Sequence, residues 1–384
     1  MDRVTVSPEL LRWASERSKL EATELMERFP MLTKWEAGEV SPTLKQLEAF
    51  AHAVHVPIGY LFLPTPPDER LPIPDFRTVA GQGVKRPSPN LLDIIYVCQE
   101  RQGWYREFAQ VTRQPEIPFV GSATLRTRPE VVAETMRDAL GFDLDARRES
   151  PTWTDALRLF IQQADQVGVL VMASSVVQNN NHRHLDYEEF RGFALVDRLA
   201  PLVFINGADT KAAQMFTLAH ELAHLWLGAS ALSDATAAPV EGYRPEEMWC
   251  NRVAAELLAP LAVVQAELRA DEALADTLQR LARRFKVSTL VILRRLLDAG
   301  HFDRGAFQAA WQQELDRLRA LDRGVTGGGD FYRTTTARVG RRFARALVES
   351  TLEGQTLYRD AMRMLGIAKT STFHELGRSV GVLT

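Results

Sequence analysis

TLAHELAHLWLG, residues 217–228, sets two histidines and a glutamate into an otherwise apolar run. Nothing breaks the run from Thr217 to Gly228, and the closing glycine suits a helix C-terminus. On an α-helix, positions i and i+4 lie about 40° apart and one turn along the axis. His220 and His224 can therefore aim both imidazoles at one ion. Glu221 falls to the side of the pair, where its carboxylate can hold a water instead of the metal. That is the mechanics of an H-E-x-x-H helix, two zinc ligands and a general base. Met215, Ala219, Leu222 and Trp226 form the opposite stripe, which predicts a helix anchored on one side with its histidine face toward a cleft.

A catalytic zinc keeps three protein ligands and an open fourth position, so the third ligand decides the reading. RPEEMWCNRVAAELLAP, residues 244–260, reads as a helix that Pro245 opens and Pro260 ends. Glu247 in its first turn is the candidate ligand. Asn251 stands four residues on, on the same face, where it can accept the outer N–H of a ligand imidazole. Glu246, offset by about 100°, is the second choice. Glu256 lies nine residues from Glu247, about half a turn round the helix, and cannot share the site. Cys250 reads as a small packed side chain.

The 384 residues allow two or three domains, and 46% apolar content is enough to build their cores. No stretch approaches the eighteen or so apolar residues that a membrane span needs, and the opening MDRVTVSPELLRWASERSKL has no apolar secretory core. Two cysteines, Cys98 and Cys250, make no disulfide framework. The expected location is the cytoplasm, with no membrane partner. Charge is uneven: the head over residues 1–75 is acidic, and the tail over 323–384 is basic.

Short helices are expected over residues 8–62, and the five prolines of LPTPPDERLPIPDF (63–76) predict a stiff linker. Helical stretches near 90–110, 129–140 and 152–166 lead to strand candidates in VGVLVM (167–172), FRGFALVD (190–197) and PLVFIN (201–206). Everything after Gly228 reads helical to about 322. GVTGGGDF (324–331) interrupts as a turn, and three helices finish the chain. The fold class expected is α+β, mostly α-helical. Its divisions are a five-helix head at 1–66, a linker at 67–87, a core with a small mixed sheet and the H-E-x-x-H helix at 88–300, and a helical C-terminal region at 301–384.

FTLAHELAHLWLG followed by EEMWCNRVAAELLAP, with EEFRGFALVDRLAPLVFIN before them, resembles the ImmA/IrrE family of zinc metallopeptidases over roughly residues 75–300. The resemblance implies a zincin-like core, Zn2+ as cofactor, His220, His224 and Glu247 as ligands, and Glu221 as base. It also implies that the FRGFALVD strand is a sheet edge able to hold a peptide by β-addition. The implied partner is a regulatory protein, such as a repressor or antitoxin, cleaved in stress response, mobile-element control or phage defence. An oxyanion donor beside the metal is expected, with Tyr243, His182, His184 and Tyr332 as low-weight candidates.

WEAGEVSPTLKQLEAFAHAVHVPIGYLF (35–62) resembles the XRE-type helix-turn-helix domain, covering residues 8–62. Only PMLTK separates Phe29 from Trp35, so the recognition helix is stunted and offers a groove Thr33 and Lys34. Phosphate contacts supply most non-specific affinity, and an acidic head supports DNA as a partner only weakly. A second basic segment, LQRLARRFKVSTLVILRRLL (278–297), has helix-turn-helix spacing, but packing is its preferred reading. Arg338, Arg341, Arg342 and Arg345 at i, i+3, i+4 and i+7 predict one solvated helix face. A homodimer is a further expectation. The rival function is a transcription regulator, or a toxin or antitoxin module, in which zinc is structural or sensory.

Overall fold

The computed structural model describes residues 3–18, 20–75, 87–233, 244–321 and 331–383, without the side chains of Arg304, Arg319, Leu321 and 331–334. Its described part holds eighteen α-helices and one four-stranded mixed sheet, the mostly helical α+β class that the sequence predicts. The chain divides into two compact units, one of residues 1–72 and 84–96, the other of residues 73–83 and 97–384.

In the first unit, α1 (Pro8–Ser18), α2 (Ala22–Arg28), α3 (Leu32–Glu36), α4 (Leu44–Ala53) and a 3-10 turn (Ile58–Phe62) surround a core of Leu10, Trp13, Phe29, Trp35, Leu47 and Phe50. Phe50 meets the edges of Phe29 and Trp35 at 5.6 and 6.5 Å. Thr43 and Gln46 form a reciprocal capping box that starts α4. The five-residue α3 carries Thr33 and Lys34, both exposed. Arg17, buried, grips Glu69 through two hydrogen bonds of 2.6 and 2.8 Å.

The second unit takes the C-terminal part of α5 (Pro89–Val111), then α6 (Pro129–Leu140), α7 (Leu144–Arg148) and α8 (Trp153–Gln166). Next come β1 (Leu170–Ser174), β2 (Gly192–Leu195), β3 (Leu202–Asn206) and α9 (Lys211–Leu227). All three predicted strands form. Gln102 of α5 donates to Leu195 O and Ala200 O, both at 2.9 Å, which ties that helix to the sheet.

β1 runs parallel to β3, and β2 pairs antiparallel with β3. A strand the sequence reading did not anticipate, β4 (Ala231–Ser233), pairs antiparallel with β2, with Gly192 opposite Ser233. The sheet order β1-β3-β2-β4 therefore places FRGFALVD inside the sheet and corrects its assignment as an edge. The three residues Ala-Leu-Ser are too short to show period-two alternation, and the reading passed over them as helix. The linker is more than a spacer, for Leu232 N–H donates to Pro74 O at 2.9 Å, and Asp75 bridges Leu232 in parallel.

α9 lies across β2 and β3, and α10 (Pro245–Leu258) packs on α9 and α6. Thr210 caps the start of α9 by accepting from Ala213 N–H, and Gly228 ends it in the left-handed region at φ 75°. The terminal carbonyls of Leu225 and Trp226 accept from Gly121 and Ala123 N–H at 3.0 and 2.9 Å. Further on lie α11 (Leu261–Ala266), α12 (Leu274–Phe285), α13 (Thr289–Asp298) and α14 (Arg304–Leu321).

The predicted second helix-turn-helix segment is α12 and α13, and its cations other than the exposed Arg283 are engaged inside the unit. Arg280 and Arg284 pair with Glu267 and Glu272, Arg294 and Arg295 pair with Asp298, and Arg295 also grips Glu256. Lys286 stacks over Trp153 at 5.4 Å. Packing is thus the role of this segment.

Four helices rather than three close the chain: α15 (Phe331–Val339), α16 (Arg341–Leu352), α17 (Tyr358–Leu365) and α18 (Thr370–Ser379). The expected turn over 324–330 lies outside the described residues. The arginines of the tail do not share one helix. Gly340 separates α15 from α16 at φ 79°, and a Cβ there would stand 2.8 Å from Val171 O. Arg338 instead reaches Asn179, Arg342 reaches Tyr105, and Arg345 pairs with Glu349. No described helix is long and apolar enough to cross a membrane.

Gly192 sets the depth at which α9 rests on the sheet. A Cβ there would stand 2.6 Å from Thr217 Cγ2 and 2.8 Å from Phe204 O. Gly192→Ala is expected to destabilise the second unit by about 1–3 kcal/mol, the usual cost of overpacking. Calorimetry should show a lower unfolding midpoint; an unchanged midpoint would mean that α9 does not press on β2.

Candidate metal centre

α9 and α10 cross so that residues separated in sequence meet in the core. The Nε2 atoms of His220 and His224 stand 3.1 Å apart. Glu247 reaches them from the first turn of α10, with Oε2 at 3.2 Å from His220 Nε2 and Oε1 at 3.0 Å from His224 Nε2. Among the described residues these three form the one group of His, Cys, Asp and Glu side chains whose donor atoms converge. Four donors placed tetrahedrally at zinc bond lengths lie about 3.3 Å from one another. The observed separations, with a nitrogen-rich donor set and one carboxylate, fit that ion.

The surroundings differ from the sequence reading in one respect. Every residue of α9 from Gln214 to Trp226 is buried, so the histidine face does not open onto a cleft. His220, Glu221, His224 and Glu247 are each 0% exposed. Helical periodicity distinguishes two faces of α9, but α10 and the sheet both pack against it, and neither face is left to solvent.

Glu221 lies beside this group and outside it. Neither carboxylate oxygen makes a hydrogen bond of ordinary geometry among the described residues, although the Ser233 hydroxyl lies close enough to favour its ionised form. Gly192 leaves room for it: a Cβ at that position would come within 3.0 Å of Glu221 Oε1. A buried, unpartnered carboxylate costs several kcal/mol if ionised. Burial first, and then the charge of Glu247, push the Glu221 carboxyl well above the usual carboxylate range. Burial also presses on Glu247, but His220 and hydrogen bonds from both imidazoles outweigh it and hold that carboxyl at about 2. Burial pushes the His224 imidazole down, against the bond to Glu247. The cluster therefore favours an ionised Glu247 beside a neutral His224, and the neutral form of Glu221 is favoured over its usual balance. Those are the ligand forms that a divalent cation takes.

The remaining sequence candidates fall elsewhere. Asn251 is half-buried, and its Oδ1 has no partner among the described residues, so the expected bond to a ligand imidazole is not made. Glu246 is half-buried and outside the cluster. Cys250 is buried, its thiol pushed well up by burial and by Glu247. Glu256 pairs with Arg295. His182 and His184 are exposed on the loop between β1 and β2 and do not join the cluster. Tyr243 and the side chain of Tyr332 lie outside the described residues. One residue of the site was not foreseen: Ser233, fully buried at the end of β4, puts Oγ 3.3 Å from His224 Nε2 and 3.4 Å from Glu247 Oε1. A serine in a three-residue strand carries no sequence signal for such a place.

Residues 164–297 match the family described as IrrE N-terminal-like domain, a peptidase family. The match contains the whole cluster. It runs from the end of α8 through α13 and supports the ImmA/IrrE resemblance for that part of the chain. Residues 339–379, nearly all of α16 to α18, match a family described as a domain of unknown function. The helix-turn-helix resemblance of the head has no family match, and no curated protein matches the chain.

A divalent cation placed against Glu221 opposes both burial and the charge of Glu247 by favouring the ionised carboxylate, and so lowers its pKa. Zinc binding near pH 7 is expected to release about one more proton in the wild type than in Glu221→Gln. Titration calorimetry in buffers of different ionisation enthalpy reads this directly. Equal release from both proteins would show that Glu221 does not sense the metal.

Proposed function

We propose that this chain is a zinc-dependent endopeptidase of the ImmA/IrrE type that cleaves a regulatory protein, with a repressor of the XRE type or an antitoxin as the substrate class. His220, His224 and Glu247 hold the ion, and Glu221 is the general base. One observation carries the reading: a fully buried carboxylate with no cation to answer it, Glu221, stands beside three converged ligand side chains. The peptidase-family match over the same residues supports it.

Zinc held there would polarise the scissile carbonyl and acidify a water. Glu221 then takes a proton from the attacking water and delivers it to the leaving amine. His224 supplies a neutral ring nitrogen, and Glu247 supplies the negative charge that offsets the cation. The head, with its short α3 and acidic composition, serves as a recruiting module for a helix-turn-helix protein, by pairing as two copies of such a domain pair. Stress response, mobile-element control or phage defence is the setting in which such a cut would act, in the cytoplasm.

The complete burial of all four side chains favours a second reading, a structural or sensory zinc site in a regulator, since structural sites are closed and catalytic ones keep a position open. The two part company at Glu221. Glu221→Gln is expected to keep zinc and to lose about 10²–10⁴-fold in cleavage rate, the range for general acid–base catalysis. Wild type and variant, each incubated with a proteome of the source cells, are compared by mass spectrometry of newly formed N-termini. Cuts made equally by both proteins, or by neither, would reject the peptidase.

A further inference from the structure

The closure of this site has a definite cause in β4. Ser233 Oγ lies 3.3 Å from His224 Nε2 and 3.4 Å from Glu247 Oε1, and beside the Glu221 carboxyl. The two Nε2 atoms stand 3.1 Å apart, and Glu247 meets them with one oxygen each, Oε2 at 3.2 Å from His220 and Oε1 at 3.0 Å from His224. A tetrahedron at zinc bond lengths has edges of about 3.3 Å. The hydroxyl therefore sits at the spacing that a fourth donor would keep from two of the three. It is a neutral oxygen, the nearest side-chain equivalent of water. Two more facts fix it there. β4 is bonded to β2 on its inner side, with Gly192 opposite Ser233, and Ser233 is 0% exposed. On its outer side Leu232 donates to Pro74 O, and Asp75 bridges the same residue, so β4 is held at both edges. Pro74 has no N–H to offer, and at that residue the strap presents no donor to a further strand.

We propose that Ser233 caps the metal in the resting protein, occupying with its hydroxyl the coordination position that a hydrolytic water needs. The inference rests on the zinc peptidase reading and adds to it a resting state with four protein donors. A neutral alcohol is a weak ligand, so the cap slows turnover without abolishing it. Displacement of Ser233, by a shift of β4 and the Pro74–Asp75 strap that holds it, is the step that opens the site.

The test uses full-length protein loaded with Co2+, whose spectrum reports its ligands. Ser233→Cys puts a thiolate where the hydroxyl stands, and thiolate is a strong ligand for such ions. The expected result is a sulfur-to-cobalt charge-transfer band in the near ultraviolet, absent from the wild type with its native Cys98 and Cys250, and metal affinity raised at least about tenfold. Ser233→Ala should keep the metal, lose up to about tenfold in affinity, and cleave the wild-type substrate several-fold faster. A cobalt-loaded Ser233→Cys protein with no such band, or a Ser233→Ala protein no faster than wild type, would overturn the cap while leaving the peptidase standing. Failure of the wild type itself to bind Co2+ or Zn2+ would instead remove the reading beneath it. Circular dichroism matched to wild type confirms that each variant is folded.

Discussion

Two carboxylates and two imidazoles meet in the interior of this protein with no exposure to water, and that burial is the constraint on which the rest of the second unit depends. Charges are taken out of water at a cost of several kcal/mol each unless something answers them. Glu247 is answered by the two imidazoles at 3.2 and 3.0 Å. Glu221 is faced only by the neutral Ser233 hydroxyl, with no opposite charge beside it. A divalent cation within the triad would settle both accounts, by neutralising the one carboxylate and stabilising the ionised form of the other. The fold supplies the positions: α9 rests on the sheet at Gly192, α10 leans on α9, and β4 closes the remaining side with Ser233.

Much of this was legible from residues alone, wherever a local rule acts. The C-terminal end of α9 was marked by Gly228, the ends of α10 by Pro245 and Pro260, and the strands β1 and β3 by their β-branched runs. The i, i+4 spacing placed His220 and His224 together, and Glu247 stood out as a first-turn carboxylate with the polar Asn251 four residues on. The short α3 was visible as five residues between Phe29 and Trp35.

What escaped the sequence depends on contacts between distant segments. β4 is three residues long and exists because β2 offers it an edge, so no periodicity announces it. The histidine face was expected to be open because its own helix leaves it polar, but α10 and β4 cover it. Four arginines in helical register looked like one surface until Gly340 turned the chain between the first and the second of them. Asn251 has the spacing of a supporting partner and makes no such bond. Each of these differences arises where packing overrides a pattern that is only local.

The central claim is a metal held by His220, His224 and Glu247, and zinc-edge X-ray absorption on the purified chain tests it most directly. The account predicts stoichiometric zinc with a first shell of nitrogen and oxygen at about 2.0–2.1 Å, two imidazoles among the scatterers, and no sulfur. Zinc bound through sulfur, which would put Cys250 or Cys98 in the shell, or a protein that binds no zinc at all, would contradict it.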